Sequence, residues 1–269
     1  MTTASSPSAL QRVGLTTAAL VLLNVVLYLV QALSGQSLIE RSPQEMLAWG
    51  GNLALLSLTG DLWRLGASVF LHGGLLHLAM NMYMLWLLGP AAQRQLGRSG
   101  LLLVFLAGGW AASCASSGWF GWHLLREYVQ GGHPAQWMVV SAGASGGIMA
   151  LCGALLSSLA WQKLQREPSR LGAGFGRALG QVVLINLVAG SLISGVDQSA
   201  HVGGLLAGGL MGALVASAGN LRSQGLALLL RLAVALLAGW GSSWTLLHLA
   251  DWQPLQQARG DFEQSAPAE

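Results

Sequence analysis

Seven apolar runs follow one another along the chain, separated by segments that carry arginine, glycine, proline or clusters of polar residues. Each run is near the roughly 17–25 residues with which a helix crosses a bilayer. In chain order they cover about Val13–Leu33, Val69–Leu88, Leu101–Gly118, Ser145–Trp161, Ala178–Ile193, Ala200–Ala218 and Leu226–Ala250. Because unpaired backbone groups are not tolerated in lipid, the runs are predicted to be helices. The pattern therefore predicts an all-α integral membrane protein with seven spans.

Composition supports a membrane protein and indicates how its helices pack. Of the 269 residues, 53% are hydrophobic and only 9% are charged, whereas a soluble domain carries about 25% charge. The 37 glycines favour close contact between helices in lipid. Cys114 and Cys152 each lie inside an apolar run, so we interpret both as small buried side chains. The sequence predicts no metal site, no cofactor and no nucleic-acid partner.

Basic residues predict the orientation of the spans, because cytoplasmic loops carry an excess of Lys and Arg. With a cytoplasmic N-terminus, nine of the thirteen basic residues fall on the inner side: Arg12, Arg94, Arg98, Lys163, Arg166, Arg170, Arg177, Arg222 and Arg231. The chain then divides into a cytoplasmic segment (1–12), a membrane domain (13–250) and an acidic extracytoplasmic tail (251–269). The lack of a transit peptide or a large soluble domain leads us to expect a bacterial plasma membrane.

Two segments on the outer side are long in this arrangement. Residues 34–68 contain many apolar side chains but are interrupted by Pro43, Gly50, Gly51 and Gly60. This segment is too broken to span, so we expect it to lie partly in the outer leaflet. Residues 119–140 are expected to form the second outer loop, with aromatic side chains at the height of the membrane interface.

Four polar residues inside or beside the apolar runs form a candidate site, because polar groups in a bilayer are expensive and need a reason. Ser145 starts the fourth run, His77 and Asn81 lie one helical turn apart in the second, and His201 begins the sixth. In the predicted orientation these three runs all start on the outer side. His77 is eight residues beyond Val69, which is about 12 Å at about 1.5 Å per residue. All four residues are therefore expected in or near the outer half of the membrane.

These residue types suit acyl transfer. A serine hydroxyl needs an adjacent base, which His201 can supply to Ser145. The developing oxyanion needs donors in a water-poor site, and His77, Asn81 and the backbone N–H of the serine are suitable. Small residues would support the site by leaving space around the serine and by letting the sixth helix approach the fourth: Gly143, Gly146, Gly204 and Gly208.

Taken together, these motifs resemble the rhomboid intramembrane serine proteases. They are Gly143-Ala144-Ser145-Gly146, His77-x-x-x-Asn81 and Ala200-His201-Val202-Gly203-Gly204-x-x-x-Gly208, with Trp63-Arg64 matching that family's outer loop. The motifs cover about 61–218. The resemblance implies a six-helix core, here with a seventh span at about 226–250, that cleaves transmembrane protein substrates near their outer ends. It also implies that Ser145 is the nucleophile, His201 the base, and His77 and Asn81 the oxyanion donors.

Two places depart from the family's pattern. Family members often carry an aromatic residue four positions after the serine, where it packs on the histidine, and this chain has Met149 there. A thioether still packs against an imidazole, although it constrains the ring less. Gln93 and Gln95 stand where the family often has a Glu and an Arg, which affects a cytoplasmic hydrogen-bond network.

Three further polar residues have more ordinary interpretations. His72 is predicted to be a membrane-interface residue. Asp197 lies one turn before His201 and is a candidate for the carboxylate of a catalytic triad. We instead expect Asp197 or Ser199 to cap the sixth helix. The resemblance implies a dyad without a carboxylate. Asn186, in the middle of the fifth run, is expected to form a hydrogen bond between helices.

Other activities fit the sequence less well. A zinc intramembrane protease needs a cluster such as His-Glu-x-x-His, and an aspartyl one needs a membrane-embedded partner for Asp197; neither is found. A hydrolase elbow, Gly-x-Ser-x-Gly, matches 143–147, but membrane spans cannot supply its parallel sheet. A transporter would be expected to have buried carboxylates. The main alternative is a non-catalytic rhomboid-like protein that binds membrane clients, although such a protein would have lost Ser145 or His201.

Overall fold

The computed structural model describes residues 14–132, 134–168, 171–172, 174–193, 195–218 and 224–265. The predicted N-terminal segment lies outside these ranges, and so do three of the basic residues behind the predicted orientation, Arg12, Arg170 and Arg222. Within the described ranges the fold is mostly helical, which confirms the predicted all-α class.

Long helices dominate the fold, joined by short helices and two-residue strands. The helices are α1 (Leu15–Leu33), α2 (Pro43–Ala48), α3 (Ala54–Leu58), α4 (Arg64–Ala67), α5 (Leu75–Val129), α6 (Ser145–Leu164), α7 (Phe175–Leu192), α8 (Gln198–Ala218), α9 (Gln224–His248) and α10 (Gln253–Ser265). Strands β1 (Asn52–Leu53) and β2 (Val140–Ser141) pair antiparallel, and 3-10 turns cover Ser68–Phe70 and Pro134–Trp137. Five described helices are long and apolar enough to cross a membrane: α1, α5, α6, α7 and α9. The chain is therefore a multi-pass integral membrane protein.

The longest helix, α5, consists of two arms joined at Gly97. At about 1.5 Å per residue its 55 residues would extend about 80 Å, against a hydrocarbon core of about 30 Å. Gly97 has φ 76° and ψ 171°, a conformation that glycine adopts without strain. The chain reverses direction at Gly97. The second arm (98–129) packs antiparallel to α6, with Ala112 against Gly146 and Gly108 against Ala150. The first arm (75–96) instead starts beside the residues that lead into α6.

The N-terminal boundary of α5 differs from the prediction. The apolar run starts at Val69, but the residues around it form a 3-10 turn and the helix begins at Leu75. Gly74 has an extended backbone that passes directly against Ile39, and a side chain at Gly74 would overlap the Ile39 carbonyl oxygen. The predicted start is therefore wrong because an extended strand contact, invisible in the hydropathy pattern, delays the helix.

Two later boundaries also differ from the prediction. The first arm continues through Pro90 to Gly97, whereas the apolar run ends at Gly89-Pro90. The second arm continues to Val129, so the first half of the predicted outer loop at 119–140 is helical. The extra turns bury Gly121 and Leu124 against other parts of the protein, and this packing stabilises helix beyond the end of the apolar run.

Helices α6 and α8 run in the same direction in direct backbone contact. Three glycines of α8, spaced four residues apart, face the carbonyl groups of three small residues of α6: Gly204, Gly208 and Gly212 lie against Gly146, Ala150 and Ala154. A methyl group at any of the three glycines would overlap the facing carbonyl oxygen. Small residues at this spacing form a single face of the helix, so the two backbones approach closely.

Residues 34–68 fold into a layer against the second arm of α5. Leu53, Leu55 and Leu65 of this layer are at most 1% exposed and pack with Leu124 and Leu255. The protein itself covers these side chains, so they do not contact lipid, and the position of the segment relative to the outer leaflet stays a prediction. The glycines that interrupt the segment allow it to fold into short helices and turns.

The predicted acidic tail contains a helix that docks on this layer. Helix α10 and the residue before it bury Leu255 and Trp252, and Arg259 donates a hydrogen bond to Asp61 at 3.2 Å. Burial alone would raise the pKa of Asp61, but hydrogen bonds from Arg64 and Arg259 and their positive charges outweigh it and lower the pKa. The carboxylate therefore stabilises docking above its ordinary pKa of about 4, and this contribution is lost as the pH falls through the lowered value.

Truncating Leu255 to Ala is expected to release α10 from the layer. Leu255 is fully buried, and removing such a side chain destabilises its surroundings by about 2–5 kcal/mol. Hydrogen–deuterium exchange over 253–265 measures the release, and Gln257→Ala on the exposed face of the helix is the matched control. Equal protection of the helix in both variants would show that its docking does not depend on Leu255.

Candidate active site

Ser145 and His201 meet at the start of two parallel helices. Ser145 is the first residue of α6, and His201 lies in the first turn of α8. The Nε2 atom of His201 is 2.9 Å from the Oγ atom of Ser145, a hydrogen-bond distance. The contact of Gly204 with Gly146 brings the two helix starts this close. An imidazole bonded to a hydroxyl in this way can take the hydroxyl proton as a nucleophile forms.

The first arm of α5 presents His77 and Asn81 to the backbone just before Ser145. Gly143 there has φ 135°, and a methyl group built on it would lie 2.8 Å from His77 Cε1 and 3.7 Å from Asn81 Nδ2. Glycine is therefore required at this position by both conformation and space. The Nδ1 atom of His77 accepts a hydrogen bond from the N–H of Gly73 at 3.4 Å. A neutral ring with this bond carries its proton on Nε2, which faces Gly143.

Asn81 retains an unused donor at this site. Its side chain is 6% exposed, and its Nδ2 atom is buried without a hydrogen-bond partner in the described part of the chain. An unpaired buried amide is costly, because it has lost water without gaining another acceptor. Its position beside Ser145 makes it available to an oxygen atom that arrives there.

A cavity of about 40 Å³ lies beside the Ser145–His201 pair. A buried water molecule needs roughly 10–15 Å³ of cavity volume, so there is room for about three. Asn81 and Met149 line the cavity together with Ser145 and His201. The other lining residues come from the first arm of α5, from α6 and from α7: Met84, Ile148, Cys152, Val182, Val183 and Asn186. The arrangement joins a paired serine, free donors and space for water and a small group.

Comparison with known proteins assigns the chain to a family. Residues 59–218, more than half of the chain, match the Rhomboid domain family model. The chain belongs to the rhomboid family. The matched range contains all four polar residues of the site, and it ends with α8, so α9 and α10 lie beyond it.

Curated relatives of this rhomboid include proteins named as proteases. It is 32% identical over 206 residues to rhomboid protease AarA of Providencia stuartii, covering 72% of this chain and 70% of AarA. It is 32% identical over 191 residues to rhomboid protease GluP of Bacillus subtilis (strain 168), covering 69% of this chain and 32% of GluP. Rhomboid protease GlpG of Yersinia pestis is 28% identical over 205 residues, with 74% of this chain and 62% of GlpG covered. The chain thus spans only about a third of the length of GluP.

Sequence reasoning missed the six further residues that line the cavity of this rhomboid. Met84 follows Asn81 by three positions, and Cys152 follows Ser145 by seven, so helical spacing could have indicated both. Val182 and Val183 of α7 carry no comparable signal, because nothing in the sequence relates these apolar residues to the polar ones. The prediction that Cys152 is a small buried side chain is confirmed, as it is for Cys114.

The sequence-based interpretations of His72 and Asn186 are wrong, whereas that of Asp197 is confirmed. His72 is fully buried rather than interfacial, and its ring centroid is 5.2 Å from that of His77. Asn186 donates to a carbonyl four residues earlier in its own helix rather than to another helix, and it lines the cavity at an exposed position of α7. The third is confirmed, since Asp197 caps α8 by accepting a hydrogen bond from the N–H of Ala200 at 3.0 Å.

Proposed function

We propose that this rhomboid is a serine endopeptidase that cleaves transmembrane segments of other membrane proteins. The observation that carries the proposal is the 2.9 Å hydrogen bond between His201 Nε2 and Ser145 Oγ. The relatives named rhomboid protease support the reaction class. Assigning the reaction to Ser145 and His201 is our inference from their geometry.

In the proposed reaction, Ser145 Oγ attacks a peptide carbonyl carbon of the substrate while His201 Nε2 takes the hydroxyl proton. The carbonyl electron pair moves to oxygen and gives a tetrahedral intermediate. When this collapses, the C–N bond breaks and His201 returns the proton to the leaving amine. A water molecule then attacks the acyl-enzyme with His201 again as the base, which releases the carboxylic acid and restores the serine. These steps need no cofactor.

Three hydrogen-bond donors are proposed to stabilise the negative charge that develops on the carbonyl oxygen. The N–H of Ser145 belongs to the first turn of α6, where backbone N–H groups lack a partner within the helix. Asn81 Nδ2 is unpaired in the described residues, and His77 Nε2 faces Gly143. Donors fixed in place before the charge develops need no reorganisation during the reaction, and they lower its barrier for that reason.

Asn81→Ala is expected to lower kcat by about 10²- to 10³-fold with little change in KM, because it removes one donor to the oxyanion. Steady-state cleavage of a transmembrane reporter in liposomes measures both constants. Met80→Ala, on the exposed side of the same helix turn, is the control and should cleave normally. A raised KM at unchanged kcat would instead assign Asn81 to substrate binding.

A substrate segment is proposed to enter between α7 and the first arm of α5. The cavity wall on this side consists of Val182 and Val183 from α7 and Met84 from the first arm. Helix α7 packs loosely, since its buried residues are only Leu179, Val183 and Gly190. A limited movement of α7 would open the cavity to the lipid side. The small cavity favours small substrate side chains at the cleaved bond.

The predicted membrane layout completes the proposal. Seven spans result if the two arms of α5 serve as the second and third spans and α8 as the sixth. The membrane domain covers 13–250, with its core at about 61–218 and α9 as the added span. The N-terminus is cytoplasmic, and the site faces the outer side of a bacterial plasma membrane. The starts of α6 and α8 and the docked α10 lie at the same end of the bundle, which supports a tail on the same side of the membrane as the site.

Reconstituted protein tests this function with a reporter whose transmembrane segment carries small residues near one end. We expect cleavage within or beside that segment by the wild type and none by Ser145→Ala. Mass spectrometry of the fragments locates the cleaved bond. A reporter that binds to the wild type but stays intact would contradict the protease proposal and favour the client-binding alternative.

A further inference from the structure

The carboxylate of Asp197 receives three hydrogen bonds from two separate parts of the chain. Its Oδ1 atom accepts from the N–H of Ala200 at 3.0 Å and from the hydroxyl of Ser199 at 2.5 Å, both within the start of α8. Its Oδ2 atom accepts from the hydroxyl of Ser141 at 2.6 Å. Ser141 lies 56 residues away along the chain, in β2. Capping explains the first two bonds and leaves the third unexplained.

The same contacts exclude Asp197 as a third member of a triad in this geometry. In a Ser-His-Asp triad the carboxylate accepts a hydrogen bond from Nδ1 of the histidine. The Nδ1 atom of His201 is buried and has no hydrogen-bond partner in the described part of the chain. Both oxygens of Asp197 are instead directed to Ser141, Ser199 and Ala200. A different role is needed for the bond to Ser141.

We propose that Asp197 is a positioning residue that clamps the segment before Ser145 to the start of the helix that carries His201. Ser141 precedes the serine by four residues, and Asp197 precedes the histidine by four. The bond from Ser141 to Asp197 therefore links the chain four residues before Ser145 to the chain four residues before His201. It lies outside the 2.9 Å contact between Ser145 and His201. The catalytic consequence of the clamp rests on the proposed function.

Other contacts already hold the opposite side of the same segment. The strand pair places Ser141 beside Asn52, and the N–H of Gly143 donates to the carbonyl of Ser68 at 2.9 Å. Asn52 is itself fixed, because its side chain accepts hydrogen bonds from two buried serine hydroxyls and donates one to a carbonyl of α5. The packing of Gly204 on Gly146 brings the two helix starts together, and the Asp197 bond adds a direct polar link from this fixed segment to the residue that caps the helix of His201.

Ser141→Ala and Ser199→Ala form a matched pair, because each removes one hydroxyl from the same carboxylate. Ser141 links two segments, whereas Ser199 lies within α8. We expect Ser141→Ala to lower kcat and the rate of Ser145 labelling by a fluorophosphonate about 10- to 100-fold, since small misplacements of a reacting group have effects of this size. KM should stay within about twofold, and Ser199→Ala should match the wild type in both readouts.

Asp197→Asn provides the rescue test. Asparagine caps helices as well as aspartate does, and its amide can still form a hydrogen bond with the Ser141 hydroxyl. The clamp therefore predicts near wild-type kcat for this variant and a loss like that of Ser141→Ala for Asp197→Ala. A triad carboxylate would instead lose about 10⁴-fold on replacement by asparagine. Such a loss would overturn the clamp.

Hydrogen–deuterium exchange over 140–148 supplies a readout that does not need activity. Faster exchange there in Ser141→Ala but not in Ser199→Ala supports the clamp, and equal exchange in the two variants overturns it. Equal labelling rates in an active protein also overturn it. If the folded wild type is never labelled, the proposed function fails, and the exchange comparison alone decides whether the clamp exists.

Discussion

Ser145→Ala should abolish cleavage of a transmembrane reporter, lowering kcat by about 10⁴- to 10⁶-fold, because it removes the proposed nucleophile. His201→Ala should have an effect of the same order, since the hydroxyl then has no base. The two residues are hydrogen-bonded at 2.9 Å and would act as a unit. The double variant is therefore expected to be no less active than either single one. Single-turnover cleavage in liposomes measures all three rates.

Ser158→Ala is the matched control for this series. Ser158 is a fully buried serine in the same helix, and its hydroxyl donates only to the carbonyl of Leu155, one turn earlier. It should cleave like the wild type. Additive losses in the Ser145 and His201 variants would contradict a shared reaction step, and residual cleavage by Ser145→Ala above one part in a thousand would indicate another nucleophile.

Gly208→Val is expected to destabilise the protein by about 3 kcal/mol or more and to abolish labelling of Ser145. The new side chain would overlap the carbonyl oxygen of Ala150, which belongs to the backbone of α6 and cannot turn away as a side chain could. Overpacking of a well-packed core typically costs about 1–3 kcal/mol and occasionally more, and an overlap with backbone places this variant at the upper end. Because Gly208 lies two turns below His201 on α8, separating the helices here would also separate the histidine from the serine. Thermal unfolding in mild detergent measures the loss.

Gly209→Val tests this interpretation with the adjacent glycine. Apart from the neighbouring backbone of α8 itself, no described atom lies within 4 Å of a methyl group built at Gly209, so its replacement should change stability by no more than about 0.5 kcal/mol. Both variants place the same side chain in the same helix turn and differ only in the face they occupy. Similar melting temperatures for the two would show that the contact between α6 and α8 tolerates a side chain.

The apolar pattern predicts most of the membrane helices well, because a span must be apolar along its whole length. Helices α1, α6, α7, α8 and α9 begin within about three residues of their predicted starts. The pattern fails where tertiary contacts decide the structure. The contact of Gly74 with Ile39 moves the start of α5 to a later residue than the apolar run predicts. The polar helix α10 is anchored by the buried side chains of Trp252 and Leu255, which the hydropathy pattern of the tail does not indicate.

The candidate site could be predicted as far as its polar residues, because a serine, two histidines and an asparagine stand out in apolar runs. Ser145 and His201 are brought together in the structure, and His77 and Asn81 lie beside them. The apolar walls of the cavity could not be predicted, since Val182 and similar residues are common to every membrane helix. The bond from Ser141 to Asp197 could not be predicted either, because it joins residues 56 positions apart with no shared pattern.

Labelling with a fluorophosphonate probe, followed by mass spectrometry of the adduct, tests the central claim most directly. Purified protein in mild detergent is predicted to carry the adduct on Ser145, and the adduct should be absent from both Ser145→Ala and His201→Ala. This result would establish a serine that is activated by the histidine bonded to it. Folded wild-type protein that stays unlabelled by several probes and in several lipids would contradict the claim.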